Sequence, residues 1–171
     1  MKIIGFAQLR NEKEKGNLLN WHKCMELLCD HIYIYDQNSD DGSREFYKQY
    51  DNIITIESST NDFANEITCK SKLLKKVLKD HPNTDWILWL DGDTMLENKL
   101  LDRNILEKFL TKCASLGYDG VSLGHYNLWR SDIHYRVDNQ YDFLHKTGVV
   151  AFWKNNGHLV FPQKPGLHGR Q

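Results

Sequence analysis

Asp91 and Asp93 flank a single glycine directly after an uninterrupted apolar run, Trp-Ile-Leu-Trp-Leu, at 86–90. A short apolar run bounded by polar residues fits a strand buried on both faces, as in a parallel sheet, although periodicity alone does not separate it from a buried helix. Taken as a strand, it sets both acids just past its C-terminal end, where open α/β sheets bind ligands. Residues two apart in extended backbone project to the same side, so the two carboxylates would face one point. Gly92 would let a ligand approach the backbone closely. Two carboxylates roughly 6 Å apart repel by about 3 kcal/mol at an effective dielectric of ~20. A hard divalent cation removes that repulsion and bridges to phosphate oxygens. On these residues alone the plainer reading, a polar turn with Asp93 capping the next segment, has an equal claim.

The elements that must position these acids are set by the rest of the chain. Its 171 residues suit one domain, with 40% apolar and 26% charged residues, ordinary for a globular protein. A net charge of -1 gives no electrostatic case for nucleic acid or an anionic membrane. Cys24, Cys29, Cys69 and Cys113 form no CxxC pair and fall in segments that read as helix. They are expected to be reduced packing residues in a cytoplasmic protein. No apolar run approaches the ~18 residues that would span a membrane. The apolar stretch 2–9 lacks a basic flank and a cleavage site, so it reads as a first strand rather than a signal peptide.

Leu18, Trp21, Met25 and Leu28 recur at helical spacing and predict a helix over about 17–30. The β-branched and aromatic run 31–35 predicts a second strand, followed by the turn-rich loop Asp-Gln-Asn-Ser-Asp-Asp-Gly-Ser at 36–43. Ser43 would cap a short helix to about Tyr50, before a third strand at 53–56. Asn61 or Asp62 would cap a helix through about Lys79, stopped by Pro82. Asp102 would open another, with Ile105, Leu106, Phe109, Leu110 and Cys113 inward and Gly117 closing it. Strands are expected at 121–123, 149–153 and 158–161, the last two as a hairpin through 155–157. This alternation predicts an α/β sandwich with a mostly parallel central sheet. The polar clusters 10–12, 36–41 and 91–93 then share one sheet edge.

Taken in order, Arg10-Asn11-Glu12, Trp21-His22, the run from Ile32 through Asp36 to Gly42, and Leu90-Asp91-Gly92-Asp93 resemble GT-A-fold glycosyltransferases of the family-2-like kind. The resemblance is good over about 2–96 and loose beyond. It implies a GT-A-like (Rossmann-like) α/β/α fold in a single domain, 1–171, with a nucleotide-binding half at 1–96 and an acceptor-side half at 97–171. Many relatives carry more chain in that second half. The implied activity is metal-dependent transfer of a sugar from a UDP- or GDP-sugar donor to an acceptor the sequence does not identify. Asp36 would accept hydrogen bonds from the donor's base, with Glu12 near the ribose and Arg10 in the same first loop. Asp91 and Asp93 would hold Mn²⁺ or Mg²⁺ on the diphosphate, and Lys70 or Lys72 would reach the phosphates. His168, set among glycines, is a candidate further ligand of the metal, better suited to Mn²⁺. For an inverting reaction a carboxylate must take the acceptor's proton. Asp138 is preferred over Asp132 and Asp142. Trp129 and Trp153 could stack on a sugar, with core packing the expected role of Trp153. Two alternatives remain: a haloacid-dehalogenase-like phosphatase, whose nucleophilic aspartate opens a similar motif, and a sugar-nucleotide-binding domain without turnover.

Overall fold

The computed structural model describes residues 1–61, 63–124, 126, 128, 134 and 149–161. Among the described residues six strands form one sheet in the order β3-β2-β1-β4-β6-β5. They are β1 (Ile3–Leu9), β2 (His31–Asp36), β3 (Ile53–Glu57), β4 (Trp86–Trp89), β5 (Gly120–Leu123) and β6 (Val149–Lys154). β1 pairs in parallel with β2 and β4, and β2 with β3. β6 runs antiparallel between β4 and β5, so five strands point one way and one returns. The fold is thus the mostly parallel α/β architecture expected.

Helices α1 (Leu18–Leu28), α2 (Ser43–Tyr47), α3 (Glu66–Asp80) and α4 (Arg103–Ser115) complete the layers. Alternation along β1 divides the core in two. Ile3, Ala7 and Leu9 pack with α1, α2 and α4 residues such as Trp21, Met25, Phe46 and Leu110. Ile4 and Phe6 pack with α3 residues Cys69, Leu73 and Val77. α1 lies close on β1 because residue 5 is glycine: a Cβ there would stand 2.5 Å from Met25 Cε and 2.9 Å from Cys29 Sγ.

Several expectations are corrected. β4 stops at Trp89, and residues beyond it turn, with Thr94 N donating to Asp91 O at 2.9 Å. Asp91 therefore opens a turn and Asp93 lies within it, rather than both lying in extended backbone. Residues 158–161 form no strand, so there is no hairpin through 155–157. Leu106 and Leu110 face inward from α4, but Ile105 and Phe109 are exposed. Asp102 caps α4 as expected, accepting from Asn104 N and Ile105 N. Ser43 does not cap α2: its Oγ accepts from Lys13 N, the N-cap position is Gly42 with no side-chain cap, and α2 ends at Tyr47. α3 begins at Glu66, after a 3-10 turn at Phe63–Asn65. The cysteines are all free thiols, with Cys29 just past α1 rather than within it. Among the described residues no helix is long and apolar enough to cross a membrane.

Candidate functional site

Strand order creates the site. From β1 the chain proceeds to β2 and β3 on one side and then returns to β4 on the other. Connections leaving the C-terminal ends of β1 and β4 thus diverge, opening the crevice where open parallel sheets bind ligands. Its two banks are residues 8–12 and 90–93.

The banks touch at Gly92. A Cβ on Gly92 would stand 2.7 Å from Glu12 Cγ, 2.8 Å from Glu12 Cδ and 2.8 Å from Leu9 Cδ2. Glycine is required here for that close approach, which seats the Glu12 side chain under the turn. Glu12 is 6% exposed, and its carboxylate accepts from Lys15 Nζ at 2.7 Å and Asn17 Nδ2 at 3.0 Å. Its carbonyl accepts from the Asn17 and Leu18 amides, so Glu12 also sets the start of α1. Trp21 Nε1 donates to Leu90 O at 2.9 Å, tying α1 to the other bank. Arg10 is half-buried beside them and has no hydrogen bond or ion pair among the described residues.

On the β4 bank both Asp91 and Asp93 are exposed, and neither joins an ion pair among the described residues. Asp91 Oδ1 accepts from Trp89 Nε1 at 2.6 Å. The Trp89 ring lies under Lys70, with Nζ 3.1 Å from the ring centroid, and Lys70 is paired to Glu66. Glu66, Lys70 and Trp89 therefore form a stack that fixes the rotamer of Asp91. Burial lowers the pKa of Lys70, opposed by its hydrogen bond to Glu66 and by the charges of Asp91 and Glu66. The Lys70 ammonium is thus held beside Asp91 by its own partners. Lys72 is exposed instead, in a groove on the outer side of α3 with Ser71, Lys75, Leu159 and Phe161.

The Asp36 loop forms the third wall, and its polar residues are largely engaged in holding it. Asn11 and Asp40 bond reciprocally, Asn11 N donates to Ser39 Oγ, and Glu14 N donates to Asp41 Oδ2. Burial pulls the Asp41 carboxyl up, but its bonds to the Ser43 side chain and to the Glu14 and Ser43 amides hold it below the usual range. Asp36 is fully buried, its Oδ1 accepting from Ser39 N at 2.9 Å and Arg44 Nε at 2.7 Å. Its Oδ2 has no hydrogen-bond partner among the described residues. Asp36 shares the phase of Ile32 and Ile34 and turns toward α2. Asp91, with Trp89, turns toward α3. The structure thus brings the three clusters to one edge, but sets these two acids on opposite faces of the sheet.

A metal could be held by Asp91 and Asp93, whose hard oxygens suit Mg²⁺ or Mn²⁺ with the remaining positions filled by phosphate and water. Among the described residues no third histidine, cysteine or acid converges with them. His168, Asp138, Asp132, Asp142 and Trp129 lie outside the described residues. Trp153 packs 5.7 Å from the Trp89 ring, half-buried, in line with its expected packing role. Gln8, Glu66 and Trp89 are site residues that sequence reading missed. For Gln8 there was a signal, one amide in the otherwise apolar strand Ile-Ile-Gly-Phe-Ala-Gln-Leu.

Residues 41–146, more than half the chain, match the model of the galactosyl transferase GMA12/MNN10 family. That span takes in Lys70, Asp91 and Asp93 and begins after Asp36. No curated protein matches the whole sequence. The fold is similar to that of S. aureus TarS 1-349, solved in complex with UDP, at 14% identity and a TM-score of 0.55. That match covers 78% of this chain and 38% of the TarS chain, so the protein spans well under half of that relative. A 4-diphosphocytidyl-2C-methyl-D-erythritol synthase aligns over 90% of this chain and 75% of its own, at 10% identity and a TM-score of 0.48.

Proposed function

Given that the chain belongs to the galactosyl transferase GMA12/MNN10 family, we propose that it transfers a sugar from a nucleotide-sugar donor, of the UDP or GDP kind, to an acceptor still to be identified. The observation that carries this reading is the crevice between β1 and β4. There a glycine packed on Glu12 holds two exposed acids free of ion pairs among the described residues, at the edge where the strand order reverses. Residues 1–96 would form the donor half of one domain and 97–171 the acceptor half. A phosphatase whose nucleophilic aspartate ends the first strand fits less well, because this motif ends β4.

In this reading Asp91 and Asp93 hold Mn²⁺ or Mg²⁺, which supplies Lewis-acid stabilisation of the nucleoside diphosphate as it leaves. The chain's own residues do the positioning. Trp89 orients Asp91 through the indole N–H, and Lys70 above the indole places a positive charge beside the acids. That charge lowers the cost of two neighbouring carboxylates before any ligand arrives. Glu12 and Asn17 stiffen the opposite bank, with Glu12 the candidate for the ribose. Asp36 Oδ2, a buried acceptor with an open lone pair, is the candidate for a base N–H. Asp138 is the proposed base toward the acceptor and His168 the proposed further ligand of the metal.

A thermal-shift screen of UDP- and GDP-sugars with and without Mn²⁺ tests the donor half, with a second assay of nucleotide release in the presence of candidate acceptors. Metal-dependent stabilisation by at least one nucleotide sugar is the expected result. Stabilisation by none of them would contradict the reading.

A further inference from the structure

Gln8 ends the α3-facing series of β1 that begins with Ile4 and Phe6. It is 6% exposed, and among the described residues neither its Oε1 nor its Nε2 has a hydrogen-bond partner. Buried polar side chains in native proteins are nearly always paired, so a carboxamide orphaned at both ends needs a reason.

Register supplies its location. Gln8 is opposite Tyr35 on β2, and Phe6, two residues earlier on the same face, is opposite Trp89 on β4. Gln8 follows the last of these pairs along β1, at the end of the sheet where the chain leaves β4 and turns through Asp91-Gly92-Asp93. Gln8 is therefore at the head of the crevice, one strand across from the stack of Glu66, Lys70 and Trp89. Gln37 flanks it: its backbone amide donates to Leu9 O, and its Nε2 donates to Cys69 Sγ on the α3 face. Asp36 turns to the other face, so the buried polar groups behind Asp91 are the Gln8 and Gln37 amides and the mutually paired Glu66 and Lys70.

A carboxamide presents a donor beside an acceptor in one plane. A phosphate offers only acceptors and belongs with the exposed acids and their cation. The edge of a nucleobase offers a donor beside an acceptor, in a flat group suited to a crevice between strands. We propose that Gln8 is a specificity-determining residue that binds the base of the donor nucleotide through its paired donor and acceptor. This rests on the nucleotide-sugar reading above.

The test uses the full chain with UDP, GDP and inorganic pyrophosphate as probes, each with Mn²⁺, titrated by calorimetry against the parent and Gln8→Met. Methionine keeps the length of the side chain and removes both hydrogen-bonding atoms. Losing two hydrogen bonds to the ligand should weaken the nucleotide that the parent prefers by about tenfold or more. Pyrophosphate affinity should stay within about twofold. The Tm of the ligand-free protein should rise, because the substitution removes an unpaired buried group. Gln8→Leu should repeat the pattern. Unchanged nucleotide affinity, an equal loss of pyrophosphate affinity, or a fall in the ligand-free Tm of both variants would each overturn the role given to Gln8 alone. A parent that binds neither nucleotide nor pyrophosphate would overturn the nucleotide-sugar reading, and this inference with it.

Discussion

The two ends of the sheet use the same residue types to opposite effect. At the end where β1 begins, the acids are committed to structure. Asp30 accepts from Ile3 N at 2.7 Å and Arg103 Nη2 at 3.1 Å, and Asp85 accepts from Lys2 N at 2.6 Å. Asp80 takes both Tyr33 Oη and Lys76 Nζ. Arg103 further donates to the carbonyls of Leu28 and Met1. The exception there is His31, whose Nδ1 is buried without a partner among the described residues. At the opposite end Asp91 and Asp93 join no ion pair, and Gln8 and Asp36 keep open hydrogen-bonding atoms in the interior, among the described residues. A fold gains nothing from unspent polar groups, so their concentration at one end supports the proposal that a ligand completes the structure there.

Within the ligand end Asp36 is the most deeply buried acid, which makes its removal the most severe of the changes considered. Asp36→Ala leaves Arg44 Nε and the Ser39 amide without their buried acceptor, and should cost about 3–5 kcal/mol in denaturant unfolding. A loss below about 1 kcal/mol would mean that the loop does not depend on this carboxylate.

Gly92→Ala comes next. The added methyl meets Glu12 and Leu9 side chains at under 3 Å, and overpacking of this kind costs about 1–3 kcal/mol. Because the displaced group is Glu12, nucleotide affinity should fall along with Tm. A variant that loses neither would show that the two banks are not in contact.

The other end of the sheet responds to pH. His81 stacks on His31 at 4.5 Å between ring centroids, beside Lys2 Nζ. Burial, then the charges of Lys2 and His31, lower the pKa of His81, and burial lowers that of His22. An unfolded histidine titrates near 6.5, so below about that pH the unfolded state binds more protons and stability falls. The loss is complete once pH passes the lowered folded values. Tm should therefore drop between about pH 7.5 and pH 5.5, and His81→Gln should flatten part of the slope. A flat parent profile in that window would contradict the assignment. The depressed carboxyls of Asp30, Asp41 and Asp80 titrate well below it.

Much of the ligand end was legible in the sequence because it is written in local signals. An apolar run closing on Asp-Gly-Asp, a turn-rich loop after a β-branched strand and an Asp cap at residue 102 each depend on neighbours a few positions away. What escaped depends on contacts between distant segments. Alternation within β2 gives the phase of Asp36, but sequence does not say which helix layer that phase meets, so its separation from Asp91 was hidden. Ile105 and Phe109 share α4 with Leu106 and Leu110, and a helical pattern read without its neighbours assigns all four inward. The hairpin expected at 155–157 had the right turn residues, with Gly157 at φ 80°, yet residues 158–161 pair with no strand. The stack of Glu66, Lys70 and Trp89 joins a helix to a strand across a turn, and only the fold brings it together.

The claim on which the rest depends is that the exposed acids after β4 hold a cation against a nucleoside diphosphate. Calorimetric titration of UDP and GDP, with and without Mn²⁺, against the parent and Asp93→Ala tests it most directly. Asp93 is exposed and free of ion pairs among the described residues, so its loss should change stability by less than about 0.5 kcal/mol. Metal-dependent nucleotide binding should disappear. A variant that binds the nucleotide and Mn²⁺ as tightly as the parent would contradict the account.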